Sequence, residues 1–178
     1  MPGRGTLRQA PFLRSISILD GDGAVVASTN TANRGVRVNA EDYLPRTPDT
    51  IELLRIGPPW LGRDFASGRP VGSARADAVA TSFIPVLRGV SSGGRTVTFL
   101  LALNPDYFIN QASQQLESEA GEIEVLLYDG TLLFTTNADM PAGTSRERSL
   151  RALRQGDRES GRRAEETAEG REVLTAFR

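Results

Sequence analysis

Two stretches of this chain are the same strand-turn-strand written twice. Ile16 to Asn30 (ISILDGDGAVVASTN) and Ile123 to Asn137 (IEVLLYDGTLLFTTN) align without a gap at a constant offset of 107 residues. Six positions are identical: Ile16/Ile123, Leu19/Leu126, Asp22/Asp129, Gly23/Gly130, Thr29/Thr136 and Asn30/Asn137. Each copy places an apolar run, an Asp-Gly pair and a second apolar run in order, and then closes on a hydroxyl residue, Thr and Asn. Asp-Gly tolerates positive φ and so joins two antiparallel strands in a hairpin. An offset of this length is too long for a solenoid repeat and fits a small domain, so the pattern predicts two tandem copies of one module.

The rest of the chain fills in between and after these hairpins. Asn39, followed by Ala40-Glu41-Asp42, reads as an N-cap with acids in the first turn of a short helix through Tyr43. From Pro45 to Ser73 the composition is Pro-, Gly- and Arg-rich, with Trp60 and Phe65 as the main large apolar residues. That segment predicts a long excursion with a strand near its end. Strands follow over Ala80 to Arg88 and Arg95 to Leu103, joined by Ser91-Ser92-Gly93-Gly94. Asn104-Pro105-Asp106 then has the order of an N-cap, a helix-starting proline and a first-turn acid, predicting a helix to about Glu119. After the second hairpin, Thr144-Ser145-Arg146-Glu147 has the form of a capping box opening a helix to about Gln155. Weaker strands are expected near Arg158 to Glu165 and Arg171 to Arg178. A counterpart of the Arg95 to Leu103 strand is lacking, so the natural chain is expected to continue past Arg178.

Composition excludes several chemistries. There is no Cys, no His and no Lys, and all 21 basic residues are Arg. Thiolate nucleophiles, zinc ribbons, Ser-His-Asp triads, HExxH sites, P-loop lysines and Schiff bases are all removed. A net charge of −1 gives no uniform positive field for nucleic acid. Asp20-Gly21-Asp22-Gly23 has its glycine too early for a calcium loop, and Ser91 to Arg95 reads as a turn rather than a phosphate cradle. The spacing of Asp42, Asp64 and Asp77 does not favour carboxylate catalysis over ordinary solvated acids. No enzyme activity, cofactor or metal is expected.

The order of these elements resembles the double Cache sensor domain, a PAS-like module of bacterial receptors. The resemblance runs from about Leu13 to Arg178 and is carried by Leu19 to Asn30, Asn39 to Leu44 and Leu101 to Phe108. It implies an α+β fold: tandem PAS-like modules with antiparallel sheets, the second incomplete. The implied boundaries are residues 1–12 as an N-terminal segment, 13–104 as the membrane-distal module, 105–121 as a connecting helix and 122–178 as the membrane-proximal module. The implied role is an extracytoplasmic, small-molecule input domain of an inner-membrane receptor such as a diguanylate cyclase, histidine kinase or chemoreceptor. Contact with the membrane would run only through segments absent from this chain, and homodimerisation stays open for the full-length receptor. The alternative is a module that dimerises or positions an output domain around a degenerate pocket.

PAS-like pockets lie between the sheet and the loop layer over one face, which directs attention to Tyr43, Arg55, Trp60, Arg63, Asp64 and Arg69. An Arg fork recognises a carboxylate through two parallel hydrogen bonds, and Trp or Tyr supplies an apolar wall. A small carboxylate is the expected ligand. The ordinary alternatives are solvated loop charges for each Arg and a packing anchor for Trp60. Amino-acid-binding members of the family carry an Asp near the end of the last strand, where this chain has Asn104. An amide lacks the negative charge that an ammonium group seeks, and helix capping is the simpler role for Asn104.

Overall fold

The computed structural model describes residues 10–43, 54–71, 81–92, 95–116, 121–153, 160–166 and 172–177. In chain order the elements are β1 (Leu13–Leu19), β2 (Val25–Ser28), α1 (Ala40–Tyr43), β3 (Arg55–Ile56), β4 (Trp60–Leu61), β5 (Arg69–Pro70), β6 (Ser82–Ser92), β7 (Arg95–Leu103), α2 (Pro105–Gln115), β8 (Glu124–Leu126), β9 (Leu132–Thr135), α3 (Glu147–Leu153), β10 (Gly161–Glu166) and β11 (Glu172–Phe177). Short 3-10 turns lie at Thr31–Asn33 and Phe65–Ser67.

The repeated sequence is a repeated set of hydrogen bonds. The Thr hydroxyl that closes each hairpin accepts from the amide of the repeat's first Ile, Ile16 to Thr29 and Ile123 to Thr136, both at 3.0 Å. The hydroxyl residue before it accepts from the Asn amide, Asn30 to Ser28 and Asn137 to Thr135, both at 3.1 Å. Each Asn side chain then accepts from the backbone two residues on, at 3.2 Å from Ala32 and 2.9 Å from Asp139. Gly23 and Gly130 both take positive φ, 77° and 87°, as the Asp-Gly turn requires. Their carbonyls receive the amides of Val38 and Arg146, both at 2.8 Å. That last pair is separated by 108 residues rather than 107, so the second copy carries one extra residue after its Asn.

The first hairpin belongs to a seven-stranded antiparallel sheet of order β2-β1-β7-β6-β4-β5, with β3 also paired to β6. β7 is the strand that joins the sheet, since it pairs with β1 on one side and β6 on the other. Period-2 alternation sends Ser15, Ser17 and Leu19 of β1, Phe83 and Leu87 of β6, and Leu100 and Ala102 of β7 to one face, where all are buried. Tyr43, Trp60 and Phe65 close over that face with Val25 and Val38 to complete the core. The opposite face is also apolar, with Ile16, Ile18, Phe99 and Leu101 half-buried.

Several expectations change. The excursion after α1 contributes three short strands rather than one, because Trp60 and Leu61 pair with Phe83 and Ser82 at the edge of β6. The Thr144 to Glu147 capping box does not form: Ser145 bridges Thr131 and the Thr144 hydroxyl donates to the Pro141 carbonyl at 2.6 Å. The hairpin's own return segment uses those residues, and α3 starts only at Glu147. Helix α2 ends at Gln115; Gly93, Gly94, Glu119 and Gln155 lie outside the described residues. Hairpins β8-β9 and β10-β11 form separate two-stranded sheets. Among the described residues no strand joins them as β7 joins the first sheet.

Gly57 marks where α1 approaches the sheet. Its amide donates to the Pro85 carbonyl at 2.9 Å, and a Cβ there would lie 1.8 Å from the Tyr43 carbonyl oxygen. Gly57→Ala therefore has to push α1 off β6, at a cost of about 2–3 kcal/mol. A thermal melt within about 1 °C of wild type would show that the approach relaxes freely.

Candidate functional site

A strand irregularity builds the site. The β1–β7 register shifts between Leu13 and Ser15, which leaves Arg14 as the extra residue. Bulges of this kind re-aim a side chain. The Arg14 guanidinium reaches Asn104 Oδ1 from both Nε (3.2 Å) and Nη2 (2.7 Å), Asp106 Oδ2 from Nη2 (3.3 Å), and the Arg63 carbonyl from Nη1 (3.5 Å). Burial holds Arg14 below the ordinary guanidinium pKa; the charge of Asp106 opposes this, while the nearby charge of Arg63 adds to it. The group remains a cation.

Beside it lies a buried carboxylate. Asp64 is 3% exposed. Its Oδ1 accepts from Ser15 Oγ, Asn33 Nδ2 and the Phe65 amide, each at 2.8 Å, and its Oδ2 accepts from Asn30 Nδ2 at 2.9 Å. A buried carboxylate is tolerated when donors replace its water, and four do so here. Asn33 completes the knot by accepting from the Ala66 amide at 3.0 Å.

The second hairpin copy shares the scaffold but not this chemistry. Where the first copy has Ser15 and Ser17 the second has Glu122 and Glu124. Glu124 takes both arms of Arg146, at 2.9 and 2.8 Å, and Asn137 donates to Glu122 at 3.0 Å. The polar knot is confined to the first copy.

Two clefts among the described residues bear on the site. One, of about 380 Å³, is bordered by Arg14, Arg63, Asp64, Asn30, Thr81, Asn104 and Asp106. The other, of about 460 Å³, is bordered by Trp60 and Pro70 of the large sheet with Pro58, Pro59 and Val71 beside them, by Asp42, and by Thr131 and Gly143 of the second copy and its return segment.

Of the residues singled out in the sequence, Arg63, Asp64 and Asn104 meet at the first cleft and Trp60 borders the second. Tyr43 lies beneath Trp60, with ring centroids 3.9 Å apart at 24°; burial raises its hydroxyl pKa, with Asp42 adding to the effect. Arg55 stands opposite Leu87 and the exposed Arg69 opposite Leu61, and neither is among the residues that border the two clefts. Asn104 occupies the N-cap position but makes no capping side-chain bond, since its oxygen serves Arg14. Sequence reasoning missed Arg14, Ser15, Asn30, Asn33 and Asp106. The legible signal was Ser15 and Ser17 recurring at the core-facing positions of a strand.

No family model and no curated protein matches the chain. Among solved structures it is similar to the "Crystal Structure of the extracellular domain of the putative histidine kinase rpHK1S-Z16", with a TM-score of 0.66 at 18% identity, over 97% of this chain and 68% of that one. The chain thus has a mixed α+β, antiparallel PAS-like fold, which that domain shares. No helix among its described residues is long and apolar enough to cross a membrane.

Proposed function

We propose that this chain is the extracytoplasmic small-molecule input domain of a bacterial signal-transduction receptor, of double Cache type. In this reading residues 13–104 form the ligand-binding module, α2 connects, and residues 122–178 form the second module. The receptor would sit in the inner membrane and carry an output such as a histidine kinase, diguanylate cyclase or chemoreceptor domain. The ligand is a small carboxylate held at the 380 Å³ cleft. The observation that carries the reading is the pair Arg14 and Arg63 at the rim of this cleft, braced by a polar knot that the second hairpin copy lacks. Likeness to the extracellular domain of a histidine kinase supports the sensor context.

A second reading has its own observation. Trp60 stacks on Tyr43, Phe65 meets Tyr43 and Phe83 edge-on, and the four rings fill the space under the loop layer, as a non-sensing scaffold with a self-filled pocket would. Calorimetric titration with small carboxylates separates the two. Sensing predicts saturable binding that falls about tenfold or more in Arg14→Gln, the loss expected for a charge-assisted hydrogen bond of about 1.5–3 kcal/mol. Absence of binding in a folded chain would leave the scaffold.

A further inference from the structure

The cation of the cleft is already held by a carboxylate of the chain itself. Arg14 is 10% exposed at its side chain and its partner Asp106 is 69% exposed, and they meet through a single contact at 3.3 Å. The same Nη2 also serves Asn104. A monodentate pair with one exposed partner is weak, whereas a free carboxylate can take an Arg fork in two parallel bonds. Arg63, the second guanidinium at this rim, adds attraction for an anion once Asp106 has left.

We propose that Asp106 is a built-in stand-in for the ligand: an arriving small carboxylate displaces it from Arg14 and removes one of the ties between the start of α2 and β1. This rests on the sensing reading above. The change has a route to the second hairpin. Asp106 lies in the first turn of α2, two residues before Phe108, whose ring stacks on Phe134 of β9 with centroids 5.7 Å apart at 22°. On the other side Phe12, adjoining β1, packs against Tyr107 and Phe108 at 5.9 and 6.5 Å, and its carbonyl accepts from the Asn104 amide at 2.8 Å. The beginnings of β1 and α2 are thus tied by one displaceable ion pair and by contacts that continue to β9. A coupling claim of this kind needs an observable at both ends.

The test titrates the full chain with acetate, succinate and inorganic phosphate, as wild type, Asp106→Asn and Arg14→Gln. It then follows amide hydrogen exchange at Ile109, Asn110 and Phe134. Asp106→Asn is expected to bind the carboxylate about fivefold more tightly, because a competing ion pair is gone, and Arg14→Gln to lose it. Exchange at Ile109 and Asn110 should quicken in both unliganded variants and in carboxylate-saturated wild type, with a change at Phe134. Removal of a first-turn acid acts on the helix dipole in Asp106→Asn alone and loss of the Asn104 bonds occurs in Arg14→Gln alone, so a response common to both variants and to carboxylate-saturated wild type assigns the effect to the pair. Carboxylate binding that Asp106→Asn leaves equal or weaker overturns the stand-in and keeps the sensing reading. Binding confined to Asp106→Asn supports the stand-in. Phosphate binding without carboxylate binding overturns the ligand class. No binding in any variant removes the sensing reading, and unchanged exchange in both variants overturns the tie itself.

Discussion

Asp64→Ala is expected to cost about 3–5 kcal/mol and to lower the melting temperature by roughly 10 °C or more. The carboxylate is buried and serves four donors from three parts of the chain: Ser15 on β1, Asn30 and Asn33 around the first 3-10 turn, and the Phe65 amide that begins the second. Truncation removes the acceptor that Ser15, Asn30 and the Phe65 amide share, while Asn33 Nδ2 keeps only its longer contacts to the Ser15 and Ser17 hydroxyls, at 3.2 and 3.5 Å. A buried group left unpaired costs about 1–3 kcal/mol, and water entering the space would recover part of the sum. Asp64→Asn separates charge from shape. It keeps one acceptor oxygen but turns its amide toward Asn30 or toward the three donors at Oδ1, and a loss of about 1–2 kcal/mol is expected. A double-mutant cycle with Asn33→Ala should return a coupling of about 1 kcal/mol or more, because the two side chains share partners. If Asp64→Ala melted within about 2 °C of wild type, the knot would contribute nothing to holding the loop layer on the sheet.

Phe83→Ala is expected to have a comparable effect, about 3–5 kcal/mol. Phe83 is 0% exposed on β6, opposite Trp60 in the register, and its ring meets Phe65 edge-on with centroids 5.0 Å apart at 71°. Gly68 is packed so close that a Cβ there would stand 3.2 Å from the Phe83 ring. Removing the ring would leave a cavity bounded by the aromatic stack and the backbone at Gly68, and neither wall can collapse far. Val26, 58% exposed on β2, is the control: Val26→Ala should change stability by less than about 0.5 kcal/mol. Denaturant titration of the three proteins side by side checks the ranking. Equal midpoints for Phe83→Ala and Val26→Ala would mean that the aromatic layer does not carry the core.

Both predictions concern residues that the sequence marked for a different reason or left unmarked. Asp64 was singled out as one polar member of an Arg-, Trp- and Tyr-bearing loop, and its place as the hub of a buried network depends on Ser15, 49 residues away. Asn104 was legible as a helix start, and its N-cap position holds, yet its side chain belongs to Arg14, 90 residues earlier. Arg14 itself was invisible. In a regular strand it would point away from Ser15 and Ser17, and only the shift of register at that point redirects it.

What the sequence determined by itself was local. The Asp-Gly turns, the hydroxyl-Thr-Asn closures, the two long apolar strands and the proline-started helix each depend on bonds made within one hairpin or one turn. Chemistry a few residues long is sufficient to specify them, which is why the two copies share hydrogen bonds of nearly equal length. The tertiary structure decided how those pieces were used. It made β7 the strand that joins the large sheet, drew Thr144 and Ser145 into the second hairpin's return segment instead of a capping box, and buried Tyr43 under Trp60. It also brought Arg14, Arg63, Asn104 and Asp106 to one rim. The physical reason is that burial and ion pairing act between residues far apart in the chain, and their partners are chosen by packing rather than by sequence spacing.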